Sequence, residues 1–203
     1  DKSEFPSFIN DACPSIGINY PDLYKYFYKN LPKNWLLGSI ENVRTGYSSQ
    51  KAIRKKGASG GVITQTLIYL LENKYIDGAI LAKQGIPTPE KARAFIARSS
   101  DEIIDCSQSI YIPVSMLDIL KDLNPKEKYA ITCLPDQSAS LRVLQKNMYP
   151  SALSIKYVIG PYTGTAIYPE AIRSFLRSKK VKDHDLITSL KWRAGEWPGY
   201  LEI

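Results

Sequence analysis

With 203 residues, 44% of them hydrophobic, the chain is long enough for one large domain or two small ones and can bury a real core. No apolar run approaches the ~18 residues of a membrane span, and Asp1-Lys2-Ser3-Glu4 lacks the basic-then-apolar layout of a secretion signal. The net charge of +7 comes from scattered lysines without an arginine-rich tract or a nucleic-acid module, so a solvated basic surface is expected and no nucleic-acid partner.

Residues 1–37 are rich in Pro, Asn and aromatic side chains and form an irregular or helical segment expected to pack on the core. Tyr20, Leu23, Tyr24, Tyr26, Phe27 and Tyr28 fall at helical spacing, a pattern that packs on a core. From residue 38 to 203 the pattern becomes α/β. Ser39 to Tyr47 reads as a strand. Gly57-Ala58-Ser59-Gly60-Gly61 is a tight turn, and a helix comes next over 59–73 with Ile63, Leu67, Leu70 and Leu71 on one face. Ala79 to Ala82 reads as a short buried strand and Arg93 to Arg98 as another. Ser99 with Glu102 forms a capping box that starts a short helix near residue 100. A second short helix is expected over Ser115 to Leu123, and a strand over Tyr129 to Leu134. Pro135-Asp136 opens a helix to about Lys146, with Asp136 expected as its N-cap. Leu153 to Ile159 reads as a strand, Pro169 starts a helix to about Ser178, and Leu186 to Arg193 closes as a strand. Alternating strands and helices predict an α/β fold: a mixed sheet with helices packed on it, preceded by an irregular aromatic-rich N-terminal segment.

The glycine turn carries chemistry. A helix start has amides without internal partners and the positive end of the helix dipole, so it can hold a phosphate. Gly57, Ser59, Gly60, Gly61 and Thr64 would form the cradle, with Lys56 placed to attract the anion. The same five turn residues also fit a turn that caps a core helix and binds nothing. Gly57–Gly61, Pro135–Gln137 and Gly160–Gly164 all read as strand-to-helix junctions, where ligands of open α/β sheets sit. Three such junctions can line one crevice, within reach of Ser109 and Tyr111. Trp192 and Arg193, with Trp197, can form a cation–π stack. The three cysteines, Cys13, Cys106 and Cys133, form no C-x-x-C pair, which argues against a zinc ribbon or a secreted disulfide framework. The sole histidine, His184, lies in a polar loop and reads as a surface residue.

In order, Cys13-Pro14-Ser15-Ile16-Gly17, Gly57-Ala58-Ser59-Gly60-Gly61-Val62, Asp77-Gly78-Ala79, Ser107 to Pro113, Leu134-Pro135-Asp136-Gln137, Ile159 to Gly164, and Trp192-Arg193 with Trp197-Pro198-Gly199 resemble the coenzyme F420 hydrogenase/dehydrogenase beta-subunit family. The resemblance implies FAD, usually iron–sulfur clusters, and transfer of electrons or hydride between a reduced carrier and another acceptor. The carrier would be the deazaflavin F420 or ferredoxin, with a redox protein as partner. Asp136 and Thr163 stand where the family has cysteine. Carboxylate and hydroxyl are poor substitutes for thiolate ligands, so no cluster and no metal site is expected. Asp136 and Gln137 would then face the flavin, as hydrogen-bonding or proton-carrying groups. The expectation is a cytoplasmic, flavin-dependent oxidoreductase-like domain, truncated at its C-terminus. A degenerate binding or assembly domain stands beside it as an alternative. So does a domain of polysaccharide biosynthesis that holds a sugar nucleotide.

Overall fold

Four strands make the main sheet: β1 (Gly78–Gln84), β2 (Ala92–Ala97), β3 (Tyr129–Thr132) and β4 (Ile155–Ile159), in the order β2-β1-β3-β4. β1, β3 and β4 run parallel, and β2 pairs antiparallel with β1 at the edge. The coordinates are a computed structural model that describes residues 8–181, 187–196 and 198–203. His184, the first residue of the strand expected from Leu186, and Trp197 of the expected stack lie outside the described residues.

Side chains alternate across a strand, so each strand feeds two cores. Ala79, Leu81 and Ala130 face one side, where Leu67, Ile68 and Leu70 of α4 (Val62–Glu72) and Ile103 of α5 (Ser100–Asp105) cover them. Ile80, Tyr129 and Ile131 face the other side, against Met116 and Leu120 of a 3-10 helix (Met116–Asp122) and Leu141 of α6 (Pro135–Lys146). The mixed sheet is thus sandwiched between helices, as the alternating pattern implies. A second, small sheet pairs β5 (Lys191–Ala194) antiparallel with β6 (Tyr200–Glu202). It packs with α8 (Pro169–Ser178) through Trp192, Ile172 and Leu176.

The helix expected near residue 100 is present as α5, with Ser99 Oγ accepting from the Glu102 amide at 3.2 Å. The returning arm of the box is shifted by one residue: Glu102 Oε2 accepts from the Arg98 amide at 2.7 Å. Four other expectations need correction. Ser39 to Tyr47 forms no strand; Ile40, Val43 and Tyr47 are all exposed, and no strand among the described residues pairs with them. A short helix, α3 (Lys51–Lys56), precedes the glycine turn, so this turn joins helix to helix, not strand to helix. Pro150 starts another short helix, α7 (Pro150–Ser154), so β4 begins only at Ile155. The N-cap of α6 is Leu134, and Asp136 sits one residue inside the helix.

The N-terminal segment contributes a short helix α1 (Phe8–Asp11) and helix α2 (Tyr20–Tyr28), the latter capped by Asn19, whose Oδ1 accepts from the Asp22 amide at 3.2 Å. Leu23 is buried with Val143 of α6, and Phe27 packs on the same cluster. An Asp22–Lys146 ion pair reinforces the contact. Tyr20, Tyr26 and Tyr28 stay exposed, so only part of the aromatic stripe meets the core.

Candidate functional site

A cleft of about 730 Å³ opens at the carboxyl ends of β1, β3 and β4. Leu81 and Ala82 of β1, Thr132 and Cys133 at the end of β3, and Gly160 just after β4 all line it. The glycine turn forms another wall through Gly57, Ala58, Ser59 and Gly61. All three junctions named from the sequence therefore meet on one hollow, although one of them connects two helices. The volume lies inside the range of about 300–1,000 Å³ typical of small-molecule sites.

The walls are mostly apolar, with Leu67, Ile103, Ile110 and Met116 among them. Donors are set into that background. α4 begins at Val62 with Gly61 as N-cap, and no side chain caps it, so its first amides carry the unpaired positive end of the helix. The first bond of the helix runs from the Gln65 amide to the Gly61 carbonyl at 3.0 Å. Gly61 has φ +73°, and a Cβ there would stand 3.1 Å from Ile53 Cγ2. Gly60 does something different from what a cradle requires. A Cβ on it would meet Tyr47 Cβ at 3.1 Å and the Gly46 carbonyl at 3.2 Å. Its missing side chain lets the turn close against residues 46–48, where the Ser48 amide donates to the Gly60 carbonyl at 2.7 Å. No carboxylate is found among the described residues that line the cleft.

Of the residues singled out in the sequence, Gly57, Ser59, Gly61, Thr64, Ser109, Tyr111 and Gln137 line the cleft together. Lys56, Gly60 and Asp136 do not. Lys56 ion-pairs with Asp105 at 2.8 Å, and that hydrogen bond holds the Asp105 carboxyl below its usual range. Asp136 is exposed on the first turn of α6, where its charge suits the helix dipole. Gln137 is fixed at both ends of its amide: Oε1 accepts from the Leu134 amide at 3.2 Å, and Nε2 donates to the Val114 carbonyl at 2.7 Å. Tyr111 stands edge-on to Trp192 with ring centroids 5.8 Å apart, and its carbonyl accepts from the Ile167 amide at 2.7 Å. That bond ties the 160–166 loop to the cleft wall.

Cys106, Cys133 and Arg193 are among the lining residues that the sequence did not mark as site residues. Burial pushes both thiols up to about 11. Arg193 makes no cation–π contact with Trp192 among the described residues; its Nε donates to the Pro198 carbonyl at 2.9 Å. The alternation of Trp192 and Arg193 on a strand was the cue, and it needed the strand's buried face to be known.

The two halves of the chain each match a family description. Residues 43–121 match "Coenzyme F420 hydrogenase/dehydrogenase, beta subunit N-term", and residues 126–203 match the C terminus of the same beta subunit. The chain belongs to the coenzyme F420 hydrogenase/dehydrogenase beta-subunit family. It is 23% identical over 175 residues to the coenzyme F420 hydrogenase subunit beta of Methanothermobacter thermautotrophicus, covering 82% of this chain and 61% of the relative. It is 24% identical over 131 residues to the F420-dependent formate dehydrogenase 1 subunit beta of Methanococcus maripaludis, covering 64% of this chain and 33% of the relative. A chain of the F420-reducing [NiFe] hydrogenase complex from Methanosarcina barkeri shares the fold, with a TM-score of 0.62 at 20% identity, over 80% of this chain and 62% of that one. This chain thus spans less than two thirds of each of these relatives.

The family resemblance implies iron–sulfur clusters, and the two positions where the family has cysteine, Asp136 and Thr163, carry no thiol for one. Among the described residues no three His, Cys, Asp or Glu side chains group so as to hold a metal ion. Cys133 is buried with a neutral thiol, whereas Asp136 and Thr163 offer hard oxygen donors at the surface. No helix among the described residues is long and apolar enough to cross a membrane.

Proposed function

We propose that this chain is the flavin-nucleotide-binding part of an oxidoreductase that passes hydride between the deazaflavin F420 and a second acceptor, with FAD as its cofactor. One observation carries the reading: the uncapped start of α4 and the carboxyl ends of three parallel strands converge on one cleft without a carboxylate among its described lining residues. The names of the relatives, F420-dependent hydrogenase and formate dehydrogenase subunits, support the choice of carrier.

The residues fit such a ligand. The Val62–Thr64 amides and Ser59 would hold phosphate oxygens. Leu67, Ile103, Ile110 and Met116 provide apolar surface for a flat ring system and keep water from it. Gln137, held by Leu134 and Val114, would present its remaining amide proton and lone pair in a fixed direction. Bound flavin supplies the hydride chemistry; the chain supplies grip and orientation. A redox protein would take the electrons onward. The three unpaired cysteines suit a reducing, cytoplasmic setting.

The test is the visible spectrum of the purified protein, before and after incubation with FAD, then anaerobic mixing with reduced F420. Expected are flavin absorbance that stays with the protein on desalting and return of the oxidised F420 absorbance. A colourless protein that takes up neither FAD nor FMN would sink the reading and favour the non-catalytic binding domain.

A further inference from the structure

Arg193 is set into the cleft by construction rather than by chance of a surface side chain. Its neighbour Trp192 is 7% exposed and packs with Ile112, Ile172 and Leu190. Successive strand residues point to opposite faces, so burial of Trp192 turns Arg193 towards the cleft that it lines. The hairpin then closes on it. Gly199 has φ +82°, and a Cβ there would stand 3.1 Å from both Arg193 Cα and the Ala194 carbonyl. The adjacent Pro198 carbonyl takes the Nε–H of Arg193 at 2.9 Å. One donor is therefore used to aim the group, and the terminal nitrogens remain as a fork. Arg193 forms no ion pair with a carboxylate among the described residues. A planar fork without an acid partner among the described residues, facing a cleft without acids among its described lining residues, matches the oxygens of a phosphate. The α4 amides on the same cleft offer dipoles; Arg193 adds the full charge.

We propose that Arg193 is the side-chain phosphate anchor of this cleft and makes it prefer phosphorylated flavins to riboflavin. The inference rests on the flavin reading above. Wild type, R193Q, R193K and K191Q would be titrated with FMN and with riboflavin by quenching of flavin fluorescence. Lys191 lies on the same strand, exposed, ion-paired with Glu202 and outside the cleft lining, so K191Q reports on the hairpin alone. In R193Q the FMN affinity is expected to fall about 10- to 100-fold while riboflavin binding stays within about twofold of wild type. R193K keeps charge without the fork and should fall between. Wild-type discrimination between FMN and riboflavin in R193Q would overturn the assignment.

A second measurement needs no variant. Phenylglyoxal modifies free guanidinium groups, and peptide mass mapping reads Arg193 directly. FMN should slow its modification and riboflavin should not; equal modification with saturating FMN overturns the anchor. If wild type binds neither flavin, the flavin reading has failed, and inorganic pyrophosphate then decides the anchor alone. Protection of Arg193 by pyrophosphate supports it, and absence of protection overturns it.

Discussion

Gly60 and Ser59 are neighbours with opposite duties, and substitutions should separate them. Gly60 faces the backbone of Gly46 and Tyr47, so Gly60→Asp forces the turn and residues 46–48 apart. Overpacking of this kind costs about 1–3 kcal/mol, and flavin binding should be lost together with stability. Ser59 lines the cleft, so Ser59→Ala should change stability by no more than about 0.5 kcal/mol while weakening FMN binding. Urea titration and FMN titration of the two variants check this; a stable Gly60→Asp protein with wild-type affinity would contradict the geometry. The two cleft thiols make a pH prediction. Burial raises Cys106 and Cys133 from 9.0 to about 11, so the fold favours their neutral forms. That stabilisation is complete below the unfolded value and is lost as pH rises from 9 towards 11. Stability of a Cys106→Ser, Cys133→Ser protein should fall less steeply over that interval. Alkylation of both thiols should be slow at neutral pH and accelerate towards pH 11. Fast labelling of both at pH 7 would refute the burial argument.

β3 shows how one element joins packing to polarity. Tyr129 opens it fully buried, and its hydroxyl donates to Glu127 and accepts from the Asn124 amide at 3.3 Å. Tyr129→Phe keeps the ring and removes these two bonds and the one that the hydroxyl accepts from Arg98 Nη2 at 3.5 Å, at a cost of about 1–2 kcal/mol in urea unfolding; a loss below about 0.5 kcal/mol would mean that the hydroxyl contributes only solvent-like contacts. Elements with strong local rules were legible in the sequence. Pro135 and Pro169 start α6 and α8 where a ring-fixed φ suits a first turn, and α4 shows the 3.6 period over three turns. Ser39 to Tyr47 misled because Ile40 and Val43 have strand-like character, but a strand also requires a neighbour, which composition does not disclose. α3 escaped because four of its six residues are cationic and only Ile53 is buried. Ser59, Thr64, Ser109, Tyr111 and Gln137, picked out in the sequence from the quoted motifs and the helix start beside them, all line the cleft. Gly60 belonged to the same motif yet serves the turn's own packing, a distinction that only backbone contacts reveal. Arg193 depends on a hairpin whose second strand is three residues long, too short for periodicity to detect.

At the scale of the whole molecule, the cleft is shared between both halves of the family match. Residues 43–121 bring the glycine turn, α4, the end of β1 and Ser109 with Tyr111; residues 126–203 bring Cys133, Gln137, the 160–166 loop and Arg193. β1 and β3 are also hydrogen-bonded neighbours in the sheet, so neither half can unfold without exposing the other. A ligand in the cleft therefore binds only when both halves are folded. It should stabilise the chain as one unit, by about 2.7 kcal/mol at a hundredfold excess over its dissociation constant. For a domain of this size that raises the midpoint of thermal unfolding by roughly 5–10 °C. Calorimetry with and without FAD should show one transition that moves up intact. Two transitions, with FAD shifting only one, would show that the halves unfold independently and that the ligand grips a single side, and the shared cleft would have to be abandoned.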